Sequence, residues 1–272
     1  MQRDTRPRVG AALIDIDGVL TVSWKPLPGA VEALERLRTA GLPFALLTNT
    51  TSRSRASIAS TLADAGFPVV VDDIVTAPVV TAAHLAENRP SARCLLLNSG
   101  DIREDLEGIT LVEEGETAAA EPVDVILVGG AGPEFGYQAL NRAFGHLQRG
   151  ARLVAMHRNL YWRTDQGLQL DGGAFLLGLE RASGQRAEVV GKPAAAFFTG
   201  ALSRLGAEAG RTLMVGDDIT SDVLAAQHCG ITGVLVRTGK YQDQAVRDAD
   251  GTPDHVLDSF ADLPALVATL NT

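Results

Sequence analysis

Cysteine is scarce in this 272-residue chain: only Cys94 and Cys229 occur, each within an apolar or small-residue run. That scarcity argues against a disulfide scaffold and suits two buried free thiols in a reducing cytosol. Basic residues do not predominate either. With 24 Lys and Arg against 33 Asp and Glu, the formal net charge is -9. Such a balance provides no electrostatic footprint for nucleic acid or an anionic membrane. No apolar run approaches membrane-spanning length, and Met1-Gln2-Arg3-Asp4-Thr5-Arg6 lacks the apolar core of a signal peptide. The expected location is therefore the cytoplasm. Internal repeats and low-complexity segments are also missing. The glycine cluster Gly129-Gly130-Ala131-Gly132-Pro133 lacks the spacing of a dinucleotide fingerprint and reads as a strand-to-helix loop.

What is present is an ordinary globular composition, 46% hydrophobic and 21% charged, in a chain long enough for one large or two modest domains. Its organising stretch is Ala11-Ala12-Leu13-Ile14-Asp15-Ile16-Asp17-Gly18. A short apolar run bounded by a turn signal reads as a buried strand of a parallel sheet. Ligands of such sheets bind beyond the carboxyl ends of the strands, where Asp15 and Asp17 fall. Two carboxylates one residue apart can face one site. They do not both stay charged unaided, so either a cation lies between them or one keeps its proton. The competing reading is a helix N-cap aspartate with an acidic neighbour.

The same rhythm continues along the chain. Thr21 to Gly29 is a turn-rich loop placed to lie over the site, and a helix follows with Val31, Leu34 and Leu37 on one face. Phe44-Ala45-Leu46-Leu47 is a second buried strand ending in Thr48-Asn49-Thr50-Thr51, whose hydroxyls and amide suit a phosphate or similar oxyanion. Strand and helix alternate here as in a doubly wound α/β layer. The middle of the chain differs in texture, with strands at Leu95–Leu97, Val123–Val128 and Leu153–Met156, then a hairpin or irregular loop from Tyr161 to Asp171. After it come Glu188-Val189-Val190 with Gly191-Lys192-Pro193, and the strand Thr212–Val215 closing on Gly216-Asp217-Asp218-Ile219-Thr220-Ser221-Asp222. A helix is expected from Val223 to Cys229. The fold class read from this pattern is α/β, a doubly wound parallel-sheet (Rossmann-like) core split into 1–78 and 187–272 by an α/β module at 79–186.

Polar residues thus end four strands: Asp15 with Asp17, Thr48 with Asn49, Lys192, and Asp217 with Asp218 and Asp222. Each has a dull alternative as turn former, solvated head or cap. In order and rough spacing the set resembles the haloacid dehalogenase (HAD) superfamily, in the form DxD, Thr, Lys and an acidic run. An insertion between the second and third motifs is similar to subclass IIA, with its large α/β cap. The resemblance implies a phosphatase in which Asp15 is the nucleophile and Asp17 the acid and base. It further implies that Thr48, Asn49 and Lys192 bind the phosphoryl group. Mg²⁺ would be held by Asp15, the backbone carbonyl of Asp17 and Asp217, with Asp218 or Asp222 adding a ligand or orienting a water. Implied substrates are phosphorylated small molecules: phosphohistidine, phospholysine, pyrophosphate or a small phosphomonoester. The cap's candidates for selecting among them are His157, Arg158, Asn159, Tyr161, Trp162, Arg163 and Asp171, although Tyr161 and Trp162 read more readily as cap core, His157 as structural, and Arg158 and Arg163 equally as solvated; subclass members often dimerise through the cap. A phospho-accepting switch and a non-catalytic binding protein on the same core are the alternative functions.

Overall fold

The computed structural model describes residues 8–112, 122–164 and 167–272, without the side chains of residues 162–164. The chain forms two compact units. One comprises residues up to Thr48, Ala56–Val75 and Lys192–Thr272; the other comprises Asn49–Arg55 and Thr76–Gly191.

The first unit's main sheet takes three strands from the first part of the chain, β1 (Ala11–Asp15), β2 (Phe44–Thr48) and β3 (Ile74–Thr76), the last ending where the chain enters the second unit's long segment. In the second unit lie β4 (Arg93–Leu97), β5 (Thr110–Leu111), β6 (Val125–Val128), β7 (Arg152–Ala155) and β8 (Glu188–Val189). The chain then returns through β9 (Thr212–Gly216), β10 (Thr232–Val236) and β11 (His255–Leu257).

The first unit's sheet has the order β11-β10-β9-β1-β2-β3, with β1 at its centre. Every residue of β1, β2 and β9 is buried, which is why these strands read as continuous apolar runs. Ile14, Leu46 and Val215 pack with Leu34 and Leu37 of the helix Ala30–Thr39, and with Phe260. Alternation sends Leu13 and Met214 to the opposite face, where they are also buried. Both faces are therefore covered, as a doubly wound sheet requires.

The second unit repeats the design with the parallel order β8-β7-β6-β4-β5. Its core gathers Leu95, Ile126, Val128 and Leu153 with Leu147 of the helix Tyr137–Gln148 and Leu176 of the helix Gly172–Ser183. The hairpin read between Tyr161 and Asp171 is present, with Tyr161–Thr164 antiparallel to Gly167–Leu170. Among the described residues no helix is long and apolar enough to cross a membrane.

Three local differences from the sequence reading bear on the site. Thr21–Val22 and Lys25–Pro26 pair as a tight hairpin, its turn made by Ser23 and Trp24 at φ 50° and 63°. A positive φ at both central residues gives the turn a twist that matches its strands. The short edge strand β3 carried too little periodicity to be recognised. The segment after Asp218 opens as a wide π-type turn, Ile219–Leu224, before the α-helix Ala225–His228. Such widened turns recur at functional sites.

Candidate active site

Parallel register explains why distant residues gather. Asp15 ends β1 opposite Leu47, so Thr48 lies one step beyond it on β2. Ile14 is opposite Val215, which places Gly216 level with Asp15 and Asp217 just past the end of β9. The centre of the sheet thus presents Asp15, Thr48 and Asp217 at one edge, and all three are buried.

Asp15, Asp217 and Asp222 form an acidic cluster whose ligand atoms lie within 4.8 Å of one another. Asp222 joins because the wide turn Ile219–Leu224 brings it back under β9, where a Cβ on Gly216 would lie 2.2 Å from that of Asp222. Asp218 goes elsewhere: its Oδ1 accepts the N–H groups of Thr220 and Ser221 at 2.9 Å each, capping the turn. Of the two acids left open by the sequence, the geometry brings Asp222 to the site.

Lys192 is 5% exposed, and its Nζ lies 2.5 Å from Asp15 Oδ1 and 2.7 Å from Asp222 Oδ1. Burial works to lower its pKa, but the two carboxylates outweigh burial and hold it above the ordinary lysine value. The acids bear the opposite stress. Burial, reinforced by Asp15 and Asp222, pushes Asp217 up to about 8. Burial also raises Asp222 to about 6, with Lys192 opposing. Asp17 stands at the exposed rim, yet enough protein surrounds its carboxyl for desolvation to raise its pKa against Lys240 and Lys192. Its side chain is not part of the acidic cluster.

The residue pattern did not reveal the role of Thr238-Gly239-Lys240, the loop after β10. Thr238 Oγ1 donates to the carbonyl of Gly18 at 2.5 Å, and the Lys240 N–H donates to Asp217 Oδ2 at 2.6 Å. Gly18 and Gly239 both have positive φ, and a Cβ on either would fall 1.9 Å from Asp217 Oδ2. Only a pair of glycines admits that carboxylate. A lysine just beyond a strand end was the available signal, of the same kind that marked Lys192.

The donor chemistry fits a hard divalent cation. Three buried carboxylates supply oxygen ligands, and Asp217 Oδ1 is buried with no hydrogen-bond partner. An unpaired buried carboxylate oxygen among other buried carboxylates is costly without a positive charge beside it.

In the second unit the expected selectivity residues are mostly committed to the framework. His157 is buried, accepts the Asn159 N–H on Nδ1 at 3.3 Å and stands 3.9 Å from Asp171 Oδ2. Asp171 caps the helix Gly172–Ser183, its Oδ1 accepting from Gly172 N at 2.7 Å and Ala131 N at 3.1 Å. Arg158 pairs with Glu180, and the Asn159 carbonyl accepts the Gly173 N–H at 2.9 Å. Tyr161 is exposed on the hairpin, whereas the side chains of Trp162 and Arg163 lie outside the described residues. Asn49 is half-buried and begins the second unit's first segment.

Comparison with known proteins agrees with this geometry. A family model described as haloacid dehalogenase-like hydrolase matches residues 12–111, and a HAD-hydrolase-like model matches residues 189–263. Haloacid dehalogenase-like hydrolase domain-containing protein 2 of Bos taurus is 37% identical over 238 residues, 88% of each chain. The chain belongs to the haloacid dehalogenase-like hydrolases. Within that family it is also similar to phospholysine phosphohistidine inorganic pyrophosphate phosphatase of Xenopus laevis, 35% identical over 93% of this chain and 92% of the relative. Among solved structures, p-nitrophenyl phosphatase from Archaeoglobus fulgidus superposes with a TM-score of 0.87 at 28% identity, covering 96% of this chain and all of the other. NagD from E. coli K-12 gives 0.83 at 26% identity, over 94% and 98%. This member of the HAD family is a phosphatase.

Proposed function

We propose that this HAD-family phosphatase is Mg²⁺-dependent and cleaves phosphorylated small molecules through an aspartyl-phosphate on Asp15. The observation that carries the reading is the buried cluster of Asp15, Asp217 and Asp222 with Lys192 among them. A carboxylate attacking an anionic phosphoryl group meets repulsion, and this site answers it with the Lys192 ammonium and with carboxylates that would hold a divalent cation. Mg²⁺, held by Asp15, Asp217, Asp222 and the backbone carbonyl of Asp17, supplies electrostatic shielding of the phosphoryl oxygens when bound. Thr48, Asn49 and Lys192 orient the phosphoryl group and stabilise the charge that builds on it.

A carboxylate oxygen of Asp15 bonds to phosphorus while the bond to the leaving atom breaks (oxygen in an ester or pyrophosphate, nitrogen in a phosphoamidate), and Asp17 donates its proton to that atom. The raised pKa of Asp17 suits it to arrive protonated. In the second step Asp17 takes a proton from water, the water oxygen bonds to phosphorus, and Asp15 is released with inorganic phosphate as product. The block 79–186 acts as the cap that selects the substrate. The name of one relative, phospholysine phosphohistidine inorganic pyrophosphate phosphatase, supports phosphohistidine, phospholysine or pyrophosphate as substrate, with small phosphomonoesters as the broader class. The two free cysteines suit work in the cytoplasm, and the subclass resemblance favours a homodimer.

The test is multiple turnover of p-nitrophenyl phosphate, followed by a phosphate-release panel that includes pyrophosphate and phosphoamidates. Turnover that needs Mg²⁺, stops with a chelator and returns on adding the metal back supports the reading. A single stoichiometric phosphorylation without turnover, or hydrolysis indifferent to chelation, overturns it.

A further inference from the structure

The two carboxylate oxygens of Asp217 have different surroundings. Oδ2 accepts the Lys240 N–H and lies in the slot between Gly18 and Gly239, whereas Oδ1 is buried without a hydrogen-bond partner. The loop Thr238-Gly239-Lys240 creates that difference. In the first unit's sheet β10 stands beside β9, and β9 beside β1. Leaving β10, the loop spans the end of β9, so that Thr238 Oγ1 reaches the Gly18 carbonyl just past β1. Asp217 follows β9 and is enclosed where the two backbones meet.

Both sides of this closure are fixed. The Arg237 N–H donates to the Leu257 carbonyl of β11 at 3.0 Å, and the Tyr241 N–H donates to the Thr238 carbonyl at 3.1 Å. Tyr241 packs on the cluster of Ile219, Val223, Leu224 and Leu235, so the loop shares its support with the wide turn that carries Asp222. On the other side, the Gly18 N–H donates to the Thr21 carbonyl at 2.7 Å. A trans peptide is planar, so this bond also turns the Asp17 carbonyl away from Thr21. A Cβ on Gly239 would lie 2.5 Å from the Gly18 Cα. The Thr238 hydroxyl therefore fastens two backbones that are already in contact.

We propose that Thr238 is a positioning residue for the divalent-cation site: its bond to Gly18 closes the slot that holds Asp217 Oδ2, and so commits Oδ1 to the cation. Every residue involved belongs to the first unit. With Oδ2 spent on the Lys240 N–H, Oδ1 is the oxygen left to serve as a ligand. Groups that orient a metal ligand from behind hold roughly 10–100-fold in metal affinity. The inference rests on the reading that Asp15, Asp217 and Asp222 hold Mg²⁺, and adds which residue outside the ligands keeps one of them aimed.

The test titrates Mg²⁺ alone into the metal-stripped full chain by isothermal titration calorimetry. Thr238→Val keeps the shape and removes the hydroxyl, and should bind Mg²⁺ about ten-fold or more weakly. The Mg²⁺ concentration for half-maximal turnover of p-nitrophenyl phosphate should rise to match, with kcat at saturating Mg²⁺ within a few-fold of wild type. Thr238→Ser restores the hydroxyl and should bind Mg²⁺ like wild type. Tm measured in chelator should fall by only about 2–4 °C in Thr238→Val. Gly239→Ala intrudes on the same slot, its Cβ 1.9 Å from Asp217 Oδ2, and should weaken Mg²⁺ binding at least as much. Wild-type Mg²⁺ affinity in either folded variant overturns the proposal, even if its Tm or kcat falls. Asp217→Asn separates the two layers. If it loses Mg²⁺ while Thr238→Val keeps wild-type affinity, only the positioning role fails. If Asp217→Asn also binds Mg²⁺ like wild type, the reading of Asp217 as a ligand fails and takes this inference with it.

Discussion

A lysine ammonium is costly to bury unless anions surround it, and Lys192 is buried with two carboxylates within 2.7 Å. That arrangement makes it a preorganised donor for charge developing on a phosphoryl group. Lys192→Ala should lower kcat by roughly 10²–10³-fold, the loss found when one such donor is removed; steady-state kinetics at saturating Mg²⁺ checks it. A change of only a few-fold would return Lys192 to the status of a structural counter-ion. At this scale Asp15, Thr48 and Asp217 were legible because each ends or follows an apolar strand of one parallel sheet; Lys192 was picked out by the same kind of signal, but the strand before it, β8, belongs to the second unit's sheet and not to the core as the sequence reading had it. Asp222 could not be preferred over Asp218 from the sequence, since the choice depends on a widened turn with no periodic signature. Thr238 and Gly239 were missed for a related reason: Thr238 bonds the Gly18 carbonyl and the Gly239 backbone packs against Asp217, contacts that no residue pattern announces.

Elements succeed or fail to show themselves in the sequence according to length and burial. The buried strands β1, β2 and β9 carry three or four apolar residues in a row and were readable. Strand β3 has three residues at a sheet edge, too few to show a period, and the hairpin at Thr21–Pro26 depends on two non-glycine residues at positive φ, which no residue pattern announces. The helix Gly172–Ser183 is anchored near its C-terminal end by Glu180, which accepts from Arg158 and, at 2.7 Å, from the Ala187 N–H. Burial works to raise the pKa of Glu180, but these donors outweigh it and hold the carboxyl below its ordinary 4.5. A depressed carboxylate pKa contributes stability that is present above the unfolded value and is lost as pH falls through the folded one. Glu180→Gln should therefore cost about 1 kcal/mol at neutral pH, a modest figure because Arg158 is 38% exposed and solvent screens the pair. Thermal melts from pH 7 down to below 4 should show the variant's deficit shrinking with acidification; a constant deficit would contradict this account of the pair.

Across the whole molecule, a net charge of -9 offers nothing to draw in a phosphate, and the site itself gathers more carboxylates than lysines. The fold resolves this by concentrating Asp15, Asp217 and Asp222 at the centre of one sheet, where their oxygens can hold a cation. Sequence relatives and superposable phosphatases cover nearly the full chain, so both units belong to the shared architecture. The account's central claim is that the carboxylate of Asp15 attacks phosphorus. Its most direct measurement is turnover of p-nitrophenyl phosphate by Asp15→Asn at saturating Mg²⁺, beside a melt to verify folding. With shape nearly unchanged and the nucleophile gone, turnover should drop by at least about 1,000-fold while the protein still melts cooperatively. A folded Asp15→Asn variant that turns over within a few-fold of wild type would contradict the claim.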